Sequence, residues 1–470
     1  MFVVSCLVLL MVATMAIPKE GAKIFGMNIK FLPFEQVLKQ KEREVKNIAD
    51  IVEQVDTTIM EMDTTEVVDE DAFVPGQINY EINNATTVSF SKAGLAQLHI
   101  FFQKLNEIST NKKKLRIVHY GDSQIEGDRM TGFIRQRIQS QFGGTGPGMI
   151  SALNVYNTNA FKQELSENFM RFTCFGGEEL ENKQYGLLNT AARFTAEKVD
   201  STDLTVKEAW ITIAPSTNTY ANARQYRKVR MFYNSCVRPC VLNVYENDVL
   251  LRSDSLKMDS LPHVYELKFE KTPGKLKFEF KARVSPTITG FSLEGNSGVQ
   301  VDNVAMRGSS GTFLRKVDKN LFARQLQQEN VDLIFWQYGG NSMPYLEDST
   351  KVENYASYYK SQLNTLKRLN PDMAIVAIGP SDMSTLIDGY QETYPMLPYA
   401  VELLKKSALE VGVGYWDLYE AMGGRNSMPA WVEKGLAGSD YIHFSNKGAK
   451  IASQLFYDAF IAEYAKYMKK

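Results

Sequence analysis

Four cysteines and four histidines are all that the 470 residues contain. Zinc-type sites draw on these two residue types. His99, His119, His263 and His443 stand far apart with no cysteine at ligand spacing, so neither a metal nor another cofactor is expected. Cys6 lies in an apolar leader, which leaves Cys174, Cys236 and Cys240, enough for at most one internal disulfide. Cys236 and Cys240 flank Val237-Arg238-Pro239 and are the pair an oxidising compartment would join; two small buried residues are the equal alternative. An excess of either charge is also missing, with 53 basic against 54 acidic residues, which argues against nucleic acid or an anionic membrane surface as partner. Long apolar runs are missing too. The run 2–16 falls short of the ~20 residues a membrane span needs and reads as the h-region of a secretory signal. Residues 1–16 are therefore set aside as a signal peptide or N-terminal anchor, and the chain is expected to be exported, periplasmic or cell-envelope associated.

What is present falls into four stretches. Residues 17–75 are charged and irregular, with one amphipathic segment (34–55) and an acidic patch at Asp69-Glu70-Asp71, and read as an extension or linker. Asn84-Ala85-Thr86 matches a glycosylation sequon. Residues 76–149 open an α/β pattern: a helix over 92–108, a buried strand over 115–118, the turn His119-Tyr120-Gly121-Asp122-Ser123, and a helix over 130–142. The glycine run 143–148 then breaks the chain. It lacks the lysine of a phosphate loop and follows a helix, so it marks a rim or the entry to another domain.

Residues 150–297 change texture. Period-two runs such as Val241-Leu242-Asn243-Val244-Tyr245 and Lys275-Leu276-Lys277-Phe278-Glu279-Phe280 recur between turn residues, which predicts an inserted β-sandwich. Tyr156, Trp210, Tyr220, Tyr226 and Tyr233 in this insert offer flat faces for stacking on a ligand, with a buried core as the plainer role for most of them. From 298 to 470 the α/β pattern returns: strands over 299–304, 331–336, 373–378 and 413–417 alternate with helices over 313–327, 355–368, 399–410 and 447–468. Such alternation implies a parallel sheet covered by helices on both faces, with the ligand site at the carboxyl ends of the strands.

Three loops in those positions carry reactive chemistry. Ser123 follows a buried strand on a glycine-punctuated turn, where a nucleophile is rigidly held yet open to solvent. Asn341 in Tyr338-Gly339-Gly340-Asn341-Ser342 offers an amide donor beside two glycines. Asp440 and His443, three apart in one loop, can hydrogen-bond and leave the far imidazole nitrogen to take a proton from a serine. Among the other histidines, His119 sits on the strand before the turn, and His99 and His263 read as packed or solvated.

Together these blocks resemble the SGNH, or GDSL-type, hydrolase superfamily. Ser123 stands in Gly-Asp-Ser, Asn341 in Gly-x-Asn, Asp440 and His443 in Asp-x-x-His, and a second-block glycine falls in Arg307-Gly308-Ser309-Ser310-Gly311-Thr312. Gln124 stands where the named tetrapeptide has leucine, which points away from the lipase branch and toward exported carbohydrate esterases. The resemblance implies a three-layer α/β/α parallel-sheet domain in two parts, 76–149 and 298–470. It implies Ser123 as nucleophile, His443 as general base, Asp440 as its orienter, and an oxyanion hole of Ser123, Gly308 and Asn341, with Gly311 as the alternative glycine. The layout, with a β insert and an export signal, resembles periplasmic peptidoglycan O-acetylesterases. It implies an O-acetylated polysaccharide as partner. The alternatives are a polysaccharide O-acetyltransferase or a non-catalytic glycan-binding protein.

Overall fold

The computed structural model describes residues 46–53, 55, 87–111, 113–200 and 202–470, together with residues 5 and 12 and the backbone of 22–24 and 27–29. All but residues 5 and 12 of the signal or anchor, the acidic patch, the sequon at Asn84 and most of the 34–55 segment lie outside the described residues. Two units are distinguished, 1–46 and 47–470. In the first, Ala22–Ile24 and Met27–Ile29 pair as an antiparallel ribbon.

The second unit is built on a five-stranded, all-parallel sheet. In chain order its strands are β1 (Lys114–Gly121), β2 (Gly298–Ala305), β3 (Val331–Gln337), β4 (Ala374–Ile378) and β5 (Gly414–Trp416), and their spatial order is β2-β1-β3-β4-β5. Nearly every residue of these strands is buried, as expected of strands covered on both faces by helices. The helices are α1 (Lys92–Asn111), α2 (Thr131–Phe142), α3 (Lys319–Gln328), α4 (Ser349–Leu369), α5 (Leu397–Glu410) and α6 (Asn446–Met468), with two shorter ones between β5 and α6. On one face Phe102 of α1 and Phe335 of β3 both pack against Phe460 of α6, with ring centroids 5.6 Å apart in each pair. This is an SGNH-type α/β/α core.

One predicted helix, 313–327, is divided. A 3-10 turn, Phe313–Arg315, precedes α3, because Asp318 is extended and its carboxylate accepts the Leu321 N–H as an N-cap. The apolar spacing of Phe313, Leu314, Val317 and Leu321 runs across this break and hides it.

Between α2 and β2 lies an antiparallel sandwich. One sheet has five strands, led at its edge by Val249–Ser255; the other has six, with Thr287–Glu294 at its centre. The glycine run is the crossing into it, and Gly148 begins its first strand, which pairs with Thr287–Glu294. Tyr226 and Tyr233 are buried in the sandwich core. Cys236 and Cys240 are free, buried thiols, so the pairing allowed by the sequence is not made. Among the described residues no helix is long and apolar enough to cross a membrane.

The Thr287–Glu294 strand shows no alternation in burial; all eight residues are inside. One face serves the sandwich and the other turns to the parallel sheet, where an apolar cluster including Leu188, Phe232 and Val118 is joined by buried charge. Arg116 of β1 forms a bidentate pair with Asp302 of β2 at 2.8 Å and reaches Glu294 of the insert at 2.5 Å. Glu294 also accepts Lys114, and Arg230 of the insert pairs with Glu329 after α3. Three cations thus face three carboxylates in a nearly dry seam. Burial drives the Glu294 carboxyl upward, but Arg116, Lys114 and Arg230 outweigh it and hold it well below the usual carboxylate range.

Removing one member of a buried pair strands its partner, at a cost of about 3–5 kcal/mol. Glu294→Gln is expected to lower unfolding stability by that order in urea titrations, whereas Lys198→Ala, at the exposed pair with Glu181, should change little. Because the folded Glu294 pKa is depressed, its contribution is present above the ordinary value of 4.5 and fades as pH falls below it. The gap between wild type and Glu294→Gln should therefore narrow in acid; a gap constant down to pH 3 would contradict the assignment.

Candidate active site

Ser123 follows the last residue of β1 by two positions and sits at the carboxyl edge of the sheet, as a site in a parallel α/β fold should. Its Oγ lies 2.8 Å from His443 Nε2. His443 Nδ1 lies 2.8 Å from Asp440 Oδ2, and Asp440 Oδ1 accepts the backbone N–H groups of Ile442 and His443, both at 3.0 Å. Burial raises the Asp440 carboxyl, but hydrogen bonds from the His443 ring and from the His443 and Ile442 amides bring it below its ordinary value, keeping it ionised.

The loop that carries this pair is fixed on both sides. Tyr441 holds a left-handed φ of 57°, rare for a bulky residue, and its carbonyl accepts the Ser384 N–H at 3.0 Å. Beyond it Ser445 caps α6 through the Gly448 N–H. Residue 448 must be glycine, since a Cβ there would meet the Leu436 carbonyl oxygen at 1.8 Å.

Asn341 enters from the turn after β3. Its Nδ2 donates to the Ser309 carbonyl at 3.2 Å, tying it to the 307–311 loop, and its side chain also hydrogen-bonds Asp122. Asp122 is buried, which lifts its carboxyl to about 6, while the Gln124 amide pulls the other way. The two candidate glycines differ. The Gly311 N–H donates to Ser309 Oγ at 3.2 Å, and a Cβ there would sit 2.7 Å from the Tyr338 ring, so Gly311 is occupied with packing. Gly308 is exposed, has a φ of 76°, and stands beside Phe175 of the insert.

A cleft of ≈ 190 Å³ opens over Ser123, Asn341 and His443, with Pro344, Met383 and Ile442 as apolar walls. Its contents are a hydroxyl in contact with a base, a carboxylate behind the base, and an amide beside the hydroxyl. That set can add an oxygen nucleophile to a carbonyl and stabilise the resulting oxyanion. Among the described residues no cluster of His, Cys, Asp and Glu suits a metal ion. The other histidines stand apart. His119 is fully buried between Thr131 and Gln337, which lowers its pKa to about 3; His263 binds Asp259, and His99 packs on Tyr467.

Sequence reasoning missed the parts that hold the histidine. Gln124 Nε2 donates to the Ile442 carbonyl at 2.6 Å, and its Oε1 accepts the Phe444 N–H at 3.4 Å. The residue after Ser123 thus grips the backbone on both sides of His443. Arg129 adds a second tie, donating to the Phe444 carbonyl at 3.2 Å and to the Ser123 carbonyl. Only the departure from leucine at 124 signalled this.

No family model matches the chain, and no curated protein matches it in sequence. Among solved structures, a peptidoglycan O-acetylesterase superposes with a TM-score of 0.64 at 18% identity, covering 81% of this chain and 99% of its own. That match spans core and insert and agrees with the SGNH-type architecture. An acetyl xylan esterase (TM-score 0.27, 13% identity, 34% of this chain and 81% of its own) and a family two carbohydrate esterase from Clostridium thermocellum (0.24, 10%, 53% and 90%) are too distant to carry an argument.

Gln124→Met keeps the side-chain length and removes both hydrogen bonds. Misplacing a catalytic group by about 1 Å can cost on the order of a hundredfold. Turnover of a small ester is expected to fall roughly ten- to a hundredfold with KM within about twofold, and an unchanged turnover would show that the clamp is idle.

Proposed function

We propose that this chain is an exported serine esterase that removes O-acetyl groups from a polysaccharide, peptidoglycan or another glycan, through an acyl-serine intermediate. The observation that carries it is the unbroken hydrogen-bond chain Ser123–His443–Asp440 at the floor of a cleft that also holds Asn341. The sequence leader at 1–16 supports export, and the likeness in fold to a peptidoglycan O-acetylesterase supports the substrate class. In this reading 17–75 is a linker, 76–149 and 298–470 form the hydrolase domain, and 150–297 is a carbohydrate-facing insert.

Ser123 Oγ attacks the acetyl carbonyl while His443 Nε2 takes its proton, and the imidazolium that forms is stabilised by Asp440. The oxyanion is met by the N–H groups of Ser123 and Gly308 and by the Asn341 amide. Collapse breaks the bond to the sugar oxygen, which leaves as a hydroxyl with the proton from His443. Water, deprotonated by His443, then attacks the acetyl-serine, releasing acetate and restoring Ser123. The narrow apolar walls at Pro344 and Met383 suit an acetyl group in preference to a long chain.

Acetate release from O-acetylated peptidoglycan and O-acetylated xylan tests the proposal. Wild type should release acetate from at least one, and Ser123→Ala should abolish it while the protein stays folded by circular dichroism. Asp440→Asn is expected to lose roughly 10²–10⁴ in kcat, and Asn341→Ala about 10²–10³. Acetate release that survives Ser123→Ala would refute the mechanism; acetyl transfer to added oligosaccharide outpacing hydrolysis would make the chain a transferase.

A further inference from the structure

Arg171 lies on the insert strand Met170–Thr173 and faces a cavity of ≈ 50 Å³ at the junction with the core. Among the described residues its side chain makes no hydrogen bond or ion pair, and its Nε–H is buried with nothing to accept it. Arg171 is half-buried, and its Nε–H is a buried donor that a bound anion would satisfy. The other charges on this cavity are spent on each other, since Arg135 holds both oxygens of Asp128, at 2.5 and 2.9 Å.

The cavity borders elements that carry the candidate active site, though it shares no lining residue with the Ser123 cleft. Gly127, from the turn that follows Ser123, and Asn303, near the end of β2, both border it. Tyr156, also on its wall, accepts the Arg307 N–H at 3.4 Å and lies under the Arg307 guanidinium, whose ring-centroid distance is 5.3 Å. Arg307 in turn forms a bidentate pair with Glu126 and immediately precedes Gly308. The Tyr156 hydroxyl has accepted one hydrogen bond and keeps its own proton to donate, as does the Thr158 hydroxyl, which accepts the Ala160 N–H.

We propose that Arg171, with Tyr156 and Thr158, is a subsite for a carboxylate carried by the glycan, so that the esterase acts on acidic sugars. This rests on the esterase reading above. One unpaired guanidinium balances one negative charge, and its planar fork matches a carboxylate; a phosphate would bring surplus charge into a small space. At ≈ 50 Å³ the cavity takes a carboxylate group and not a sugar ring.

The test uses full-length protein and matched substrates: O-acetylated muramic-acid disaccharides with the lactyl carboxylate free or amidated, and O-acetylated galacturonan oligomers before and after carboxyl reduction. In at least one pair wild type should favour the acidic member by about ten- to a hundredfold in kcat/KM. Arg171→Met should erase that preference, Arg171→Lys should keep part of it, and p-nitrophenyl acetate hydrolysis should be unchanged in both. Equal rates within both pairs, or a preference that survives Arg171→Met, would overturn the subsite. So would inhibition by free acetate that is lost in Arg171→Met with no glycan preference, because the site would then hold product. Binding of the same pairs to Ser123→Ala by calorimetry needs no turnover. If p-nitrophenyl acetate is not cleaved but the charge preference in binding persists, the esterase reading fails and the subsite stands.

Discussion

The hydrogen bond between Ser123 and His443 joins positions 320 residues apart, and the arrangement of the chain serves to make that 2.8 Å contact reproducible. Neither residue is held by its own loop alone. Ser123 is fixed by the end of β1 and by Asp122, which accepts the Gln124 N–H at 2.9 Å. His443 is fixed by Asp440 from behind and by Gln124 from both sides of its backbone. The Ser123 turn therefore holds His443 in place, through Gln124 and through Arg129. That economy matters because a proton can pass between the two atoms only at hydrogen-bond distance.

The sandwich is more than an appendage to this arrangement. Its central strand is buried on both faces, and Arg116, Lys114 and Arg230 with Glu294, Asp302 and Glu329 make a charged seam beside an apolar cluster that Met149, Leu188 and Phe232 of the insert share with Val118 and Tyr120 of β1. Buried charge pairs add little net stability over apolar contacts, but they penalise every misaligned docking in which a charge is left alone. The consequence is registry. With the seam in place, Phe175 stands beside Gly308, and Tyr156 beneath Arg307, so the insert meets the 307–311 loop that Asn341 is tied to.

Much of this was legible in the sequence, for physical reasons. Parallel strands buried on both faces show as apolar runs, so β1, β3 and β4 were visible, and Ser123 and Asn341 follow such runs on glycine-bearing turns. Ser123, Asn341, Asp440 and His443 announced themselves by residue type and order. Gln124 did not, because a side chain that binds backbone groups leaves no periodic trace. The charged seam was hidden for the opposite reason. Arg230 and Glu294 lie on strands where alternating polarity ordinarily means a solvent face, and only the docking of the insert turns that face inward. The difference between Gly308 and Gly311 was hidden as well, since the Ser309 hydroxyl and the Tyr338 ring that engage Gly311 are remote from any motif.

The central claim is that Ser123 carries the acetyl group between glycan and water. Intact-mass analysis of acid-quenched protein, taken during steady-state turnover of an acetyl ester, tests it directly. The account predicts a fraction of chains heavier by one acetyl group, mapped by peptide sequencing to Ser123 and absent from Ser123→Ala. Turnover with no acetylated chain at any quench time, or an acetyl group mapped to another residue, would contradict it.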